Sequence, residues 1–231
     1  MSASPKSHFI VLFDIDGTLI HSGGAGREAM ERALRELTGK DDCCNFAFNG
    51  LTDRLIVGQA LAAAGKAADP PAIDAALQRY LNYLPQALQK AKTYRVFDAA
   101  VELAQRLRAQ QHIAVGLGTG NIAAGARLKL ARGNIEQHFA FGGFGDDGIA
   151  RADVLQRGAE RGLAALGIAP GQAQVVVIGD TTRDVAAACE IGAASIAVLT
   201  SGADPQALAE SGATLVVDQL DDPRVDALFA D

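Results

Sequence analysis

The stretch Phe9-Ile10-Val11-Leu12-Phe13-Asp14-Ile15-Asp16-Gly17-Thr18 constrains the fold of this chain more than any other. Five apolar residues in a row need cover on both faces, which a strand inside a parallel sheet receives. The run ends on two carboxylates two positions apart. Gly17 can take a positive φ and turn the chain just past them. Asp14 and Asp16 are therefore expected to leave the tip of a core strand together and face the crevice where open α/β sheets bind ligands. Two acids buried side by side are costly unless a cation answers them. Asp-Gly alone would read as an ordinary acidic turn. The whole string Asp-x-Asp-Gly-Thr behind an apolar run is much rarer and points to a site.

The chain has 231 residues, room for one large domain or a domain with a substantial insert. Hydrophobic residues make up 49%, enough for a full core, and charged residues only 21%, which argues against disorder. Lys and Arg total 21 against 27 Asp and Glu, so the net charge is −6. That balance disfavours nucleic acid or an anionic membrane as partner. An anionic substrate must then meet locally placed cations rather than a basic surface. The cysteines are Cys43, Cys44 and Cys189, with no Cys-x-x-Cys pair, which fits a reducing, cytoplasmic compartment. The apolar run after the polar start is cut by Asp14 too early for the apolar region of a signal peptide. No stretch is long enough to span a membrane. A monomer or weak homodimer is expected.

Taken in order, the chain changes character after Thr18. Ser22-Gly23-Gly24-Ala25-Gly26 reads as a hinge, because neither the Walker nor the dinucleotide glycine spacing is met. From Arg27 to about Lys92 the sequence is Ala-rich and helical, with three segments. The first carries Ala29, Ala33, Leu34 and Leu37 on one face and ends at Gly39. The second spans 51–64. The third spans 73–84 after Pro70-Pro71, and Pro85 is expected to interrupt the chain beyond it. Strands then return at 113–117, 139–144, 175–178, 195–199 and 214–217, with helices between them. Such alternation marks a doubly wound parallel sheet in an α/β fold. The expected division is an α/β core of residues 1–20 and 95–231 and an inserted all-helical cap of residues 21–94.

Three of these strands end in groups suited to phosphate chemistry: Asp14 and Asp16, then Thr119-Gly120-Asn121, then Asp180 with Asp184 four residues on. In a parallel sheet these tips share one edge. Thr119 offers a hydroxyl, Gly120 lets a ligand approach the backbone, and Asn121 reads as the N-cap of the next helix, whose first N–H groups suit an anion. Three carboxylates and a phosphomonoester cannot cluster without cations. Oxygen ligands and a substrate phosphate suit Mg²⁺. A Lys or Arg should also reach in, and no Lys lies between the third and fourth strands. The candidates are Arg151, Arg157 and Arg161, with Arg151 favoured because it follows the Asp146-Asp147-Gly148 turn. In the helical segment, Gly50-Leu51-Thr52-Asp53-Arg54 reads as a turn and N-cap. Arg54 either binds an acidic substrate group or is a solvated neighbour of the cap. His21 is read as structural.

These residues resemble the motifs of the haloacid dehalogenase-like (HAD) hydrolase superfamily, in its phosphatase branch with a helical C1-type cap, similar to phosphoglycolate phosphatases. Asp14-Ile15-Asp16-Gly17-Thr18 is similar to the first motif and Thr119-Gly120-Asn121 to the second. Gly179-Asp180-Thr181-Thr182-Arg183-Asp184 is similar to the fourth, and Arg151 stands where the third normally has a Lys. The resemblance implies that Asp14 is a nucleophile forming an aspartyl-phosphate. Asp16 would be the acid that protonates the leaving alcohol and then the base that activates water. It places Thr119 and Arg151 with the catalytic groups, and Gly120 and Asn121 with those binding phosphate. Asp14, Asp180, the Asp16 carbonyl and Asp184 would hold or orient Mg²⁺. The implied substrate is a small phosphorylated metabolite. A β-phosphoglucomutase-like phosphosugar mutase and a non-catalytic binding protein of the same fold are the alternatives.

Overall fold

The computed structural model describes residues 7–230. The first strand, β1 (His8–Phe13), runs up the middle of the molecule. A short strand β2 (Ile20–His21) leads into three helices, α1 (Ala25–Thr38), α2 (Asp53–Ala63) and α3 (Pro70–Lys90). The chain returns through β3 (Arg95–Val96), antiparallel to β2, so the helical block is inserted through a two-stranded ribbon. Then come α4 (Asp98–Arg108), β4 (Ile113–Gly118), α5 (Ala123–Arg132), β5 (Gly142–Gly143), α6 (Arg151–Leu166), β6 (Ala173–Gly179) and α7 (Thr182–Glu190). The chain ends with β7 (Ala194–Val198), α8 (Pro205–Glu210), β8 (Leu215–Val217) and α9 (Pro223–Ala227).

The main sheet has the order β5-β4-β1-β6-β7-β8, and each of its strand pairs is parallel. β1 lies between β4 and β6, with Leu12 opposite Gly116 on one side and Val177 on the other. Its alternate residues feed two cores. Phe9, Val11 and Phe13 pack with residues of α4, α5 and α9, while Ile10 and Leu12 pack with residues of α6 and α7. Unbroken hydrophobicity is thus the direct consequence of helices on both faces. Truncating Leu12 to Ala would cost roughly 2–5 kcal/mol, as for other buried leucines.

The helical block has its own apolar cluster, including Met30, Leu34, Leu61, Leu77 and Leu84, and it takes in Ile122 from the sheet side. Two expectations need correction. α3 runs straight through Pro85 to Lys90. Leu84, Ala87 and Leu88 are buried around it, and this tertiary packing overrides the missing backbone donor. The strand expected at 139–144 shrinks to Gly142–Gly143. Before it, Phe139 leaves the sheet plane to pack edge-on against Phe13 at 5.9 Å. After it, the Phe144 N–H donates to Asp147 and turns the chain. No helix among the described residues is long and apolar enough to cross a membrane.

Candidate active site

Because β1, β4 and β6 are parallel neighbours, their C-terminal tips bring Asp14, Asp16, Asn121 and Asp180 to one cavity of about 320 Å³. The helical block closes it from above with Arg27, Met30, Phe48, Asp53 and Tyr80. Gly17 has φ of +89°, and a Cβ there would overlap the Asp180 carboxylate, so the turn and the acid can share this space only if the residue is glycine.

One end of the cavity is acidic and deep. Arg151 Nη2 lies 2.8 Å from Asp14 Oδ1 and 2.5 Å from Asp184 Oδ1. Asp184 also forms a capping box with Thr181, its Oδ2 accepting from the Thr181 N–H at 3.0 Å. Asp180 accepts from Thr18 Oγ1 at 3.5 Å. Burial, aided by Asp184 and Asp16 and opposed by Arg151, pushes Asp14 up to about 6. Burial together with Asp184 and Asp14 pushes Asp180 to about 8. The single Arg charge therefore leaves the acids under-compensated. Arg151 begins α6, where a cation opposes the helix dipole, so its position is held by the carboxylates and not by local preference. Of the other candidate cations, Arg157 pairs with Glu160 at the surface, and Arg161 makes a two-pronged bond to Asp147. Neither lines the cavity.

The other end is built around Lys129, which the reading of the sequence missed. Its Nζ donates to Asp16 Oδ2 and to Asn121 Oδ1, both at 2.5 Å. Asn121 Nδ2 donates to the same Asp16 oxygen at 3.0 Å and to Thr119 Oγ1 at 2.9 Å. Burial works to raise the Asp16 carboxyl, but the charge and hydrogen bond of Lys129 outweigh it and hold the group below its usual range. Burial likewise works against the Lys129 ammonium, and Asp16 and Asp53 outweigh it and raise the group. The signal in the sequence was a cation set between Leu128 and Leu130, on a helix that both the sheet and the helical block cover.

Several anticipated positions need restating. Asn121 is not the N-cap of α5; that position is Ile122, and the Asn121 side chain turns inward instead. The N–H groups at this helix start are also not left for a ligand. Ile122 N–H donates to Asp53 Oδ2 at 2.8 Å and Ala123 N–H to Asp146 Oδ2 at 2.5 Å. Thr119 is wholly buried beneath Asn121 and does not line the cavity. Gly120 does, and the carbonyl of Leu51 and the Arg151 guanidinium leave no room for a Cβ on it. Arg54 pairs with Asp74 of α3 at 2.9 Å and is absent from the cavity wall. Its neighbour Asp53 faces the site, because one residue along a helix turns the side chain by about 100°. His21 accepts from the Gly23 N–H in the hinge, with Nδ1 also 3.1 Å from the Thr93 carbonyl.

The loop before α2 is docked on the sheet edge by several bonds. Asp53 N–H donates to Gly120 O, Thr52 Oγ1 to Ile149 O, and Arg183 Nη1 to Asn49 O. Gly50, at φ of +70°, sits so close to Thr181 and Arg183 that a side chain would clash.

Comparison with known proteins gives a consistent picture. The family model described as hydrolase, haloacid dehalogenase-like hydrolase, matches residues 10–192. The phosphoglycolate phosphatase of Rhodospirillum rubrum is 30% identical over 215 residues, covering 90% of this chain and 86% of the relative. A predicted phosphatase from Clostridium acetobutylicum superposes with a TM-score of 0.68 at 20% identity, covering 97% of this chain and 100% of that one. A predicted phosphoglycolate phosphatase from Haemophilus somnus gives a TM-score of 0.63 at 18% identity, covering 98% of each chain. At these identities the two structures speak for the fold alone.

Proposed function

The chain belongs to the haloacid dehalogenase-like hydrolases and is a phosphatase, and from that premise we propose that it hydrolyses a small phosphorylated metabolite in two steps through Asp14. The observation that carries this reading is the unequal treatment of two acids two residues apart. Asp14 is gripped by Arg151 and Asp16 by Lys129, so neighbouring carboxylates sit in separate electrostatic environments. Carboxylates held by different cations can take different roles. The protein groups by themselves favour a proton on Asp14 over Asp16, so the nucleophile and acid roles require a divalent ion to ionise Asp14 and the substrate phosphate to raise Asp16.

In the first step an Asp14 carboxylate oxygen bonds to phosphorus as the bond to the leaving oxygen breaks. Asp16 gives that oxygen a proton. In the second, water bonds to phosphorus, the bond to Asp14 breaks, and the water proton passes to Asp16. Arg151 balances charge on the phosphoryl oxygens beside Asp14. The helical block, residues 21–94, serves as the cap that shuts out water and frames the leaving group, with Asp53 and Tyr80 as its inner wall. The small cavity and the name of the Rhodospirillum rubrum relative both favour a compact substrate of the phosphoglycolate kind.

The donor set fits Mg²⁺. Asp14, Asp180 and Asp184 each bring a carboxylate oxygen, all within 4.8 Å of one another. Against the acids of the site (Asp14, Asp16, Asp53, Asp180 and Asp184), the ion-pairing cations are Lys129 and Arg151. Asp14, Asp180 and the Asp16 carbonyl would hold the ion and Asp184 would orient that shell. A bound divalent ion would neutralise phosphoryl charge and keep Asp14 ionised. The test is release of phosphate from nitrophenyl phosphate and from phosphoglycolate, with and without Mg²⁺. Turnover that needs Mg²⁺ supports the reading. Turnover only in the presence of a sugar bisphosphate would instead favour a mutase.

A further inference from the structure

The cation on Asp16 is a feature that neither the strand-tip acids nor Arg151 explains. Lys129 projects from the second turn of α5, is 4% exposed, and carries its charge to the acid–base carboxylate rather than to Asp14. Its bond and that of Asn121 both end on Asp16 Oδ2, at 2.5 and 3.0 Å. Two N–H donors occupy the lone pairs of that oxygen, so it cannot carry the mobile proton. The proton must be handled at Oδ1, with the Ser22 hydroxyl also within bonding reach of the carboxylate. The first turn of α1 lies beside the ammonium at Gly26. A Cβ on Gly26, in the first turn of α1, would lie 3.1 Å from Lys129 Nζ.

We infer that Lys129 is a positioning residue for Asp16: it pins Oδ2 and so presents Oδ1 to the water that hydrolyses the aspartyl-phosphate. In that step the water oxygen bonds to phosphorus, the bond to the Asp14 oxygen breaks, and the water proton passes to Oδ1. Arg151 serves the phosphoryl group, and Lys129 serves the proton carrier. The inference rests on the two-step phosphatase reading above.

The test is pre-steady-state turnover of nitrophenyl phosphate by the full chain with Mg²⁺. Nitrophenolate leaves without needing the Asp16 proton, and kcat/KM reports only through that departure, so a defect in the second step appears in kcat alone. Lys129→Met keeps the length of the side chain. It should lower kcat by at least about tenfold while kcat/KM falls less than about threefold, a modest share of what acid–base groups contribute. A burst near one nitrophenolate per site should appear as phosphorylated Asp14 accumulates. Gly26→Ala is a mild change within a helix and presses the ammonium from the cap side. It should give the same split at smaller size, and it covers the case in which Lys129→Met does not fold. In an Asp16→Asn background, Lys129→Met should add less than about threefold, since residues acting through one group are not additive. If kcat and kcat/KM fall in step without a burst, or if the two changes multiply, the role is overturned. A wild type without turnover, or an Asp14→Asn variant that still turns over, would defeat the phosphatase reading instead.

Discussion

The two ends of the cavity are built differently. The Arg151 end is made of the tips of β1 and β6 and the starts of α6 and α7, and the charged side chains that meet there, Asp14, Arg151, Asp180 and Asp184, are buried. The Lys129 end combines the turn after β1, the tip of β4, the inner face of α5 and, from the helical block, Asp53 and Tyr80. The charged groups of the Arg151 end all come from the sheet tips and the starts of α6 and α7, and the block adds backbone there through Asn49, Gly50 and Leu51. The Lys129 end takes charged and aromatic side chains from the block, Asp53 and Tyr80, so side-chain changes in the block should be felt mainly there.

Breaking the phosphoryl end should give the largest effects. Asp14→Asn should lower kcat by at least about ten-thousand-fold, as loss of a nucleophile does elsewhere, with an unchanged far-ultraviolet circular dichroism spectrum. Removing divalent ions with a chelator should cut activity at least about a thousandfold, reversed by Mg²⁺. Ca²⁺ should restore little, because its larger, looser shell misplaces the oxygens. Arg151→Ala should lower kcat by about a hundredfold, the scale of losing one electrostatic stabiliser, with Arg151→Lys recovering part. Arg157→Ala, at the surface, should leave kinetics within error.

At the other end the effects should be smaller and of another kind. Arg54→Ala should leave kcat/KM within about twofold, since the Arg54–Asp74 pair is a surface contact within the block. Asp53 should show itself in stability. Burial, opposed by Lys129, raises its carboxyl from 3.8 to about 6. A raised folded value means that the folded chain holds the proton more tightly. The stability from this group is therefore fully present below 3.8 and is lost as pH rises through about 6. Asp53→Asn can still accept from Ile122 and removes that loss. Melting curves from pH 5 to 7.5 should show wild type losing Tm relative to the variant, and parallel curves would contradict the assignment.

The same contrast explains what could be read from the sequence. The phosphoryl end was legible because a strand buried on both faces is an unbroken apolar run, and the abrupt change to Asp14 or Asp180 marks its tip. The leaving-group end was not. Lys129 sits in a helix whose charges look solvent-facing, and it turns inward because Asp16 and Asn121 meet it from the sheet side and the docked block buries Ile122 and packs Leu128. A cation is the expected partner of an acidic substrate, which singles out Arg54 in the sequence and not Asp53. The inward-facing Asp instead satisfies the start of α5. Pro85 misled for a related reason: a residue-level rule yielded to packing that no local pattern displays.

In the proposed cycle Asp14 becomes phosphorylated at the buried end of this cavity. This step is tested most directly by acid-quenching the enzyme with substrate after milliseconds, reducing the trapped acyl phosphate with borohydride, and mapping the altered residue by peptide mass. The modification should fall on Asp14 alone, with more of it in Lys129→Met and none in Asp14→Asn. A label on any other residue, or turnover with no label on Asp14 in either protein, would contradict the cycle.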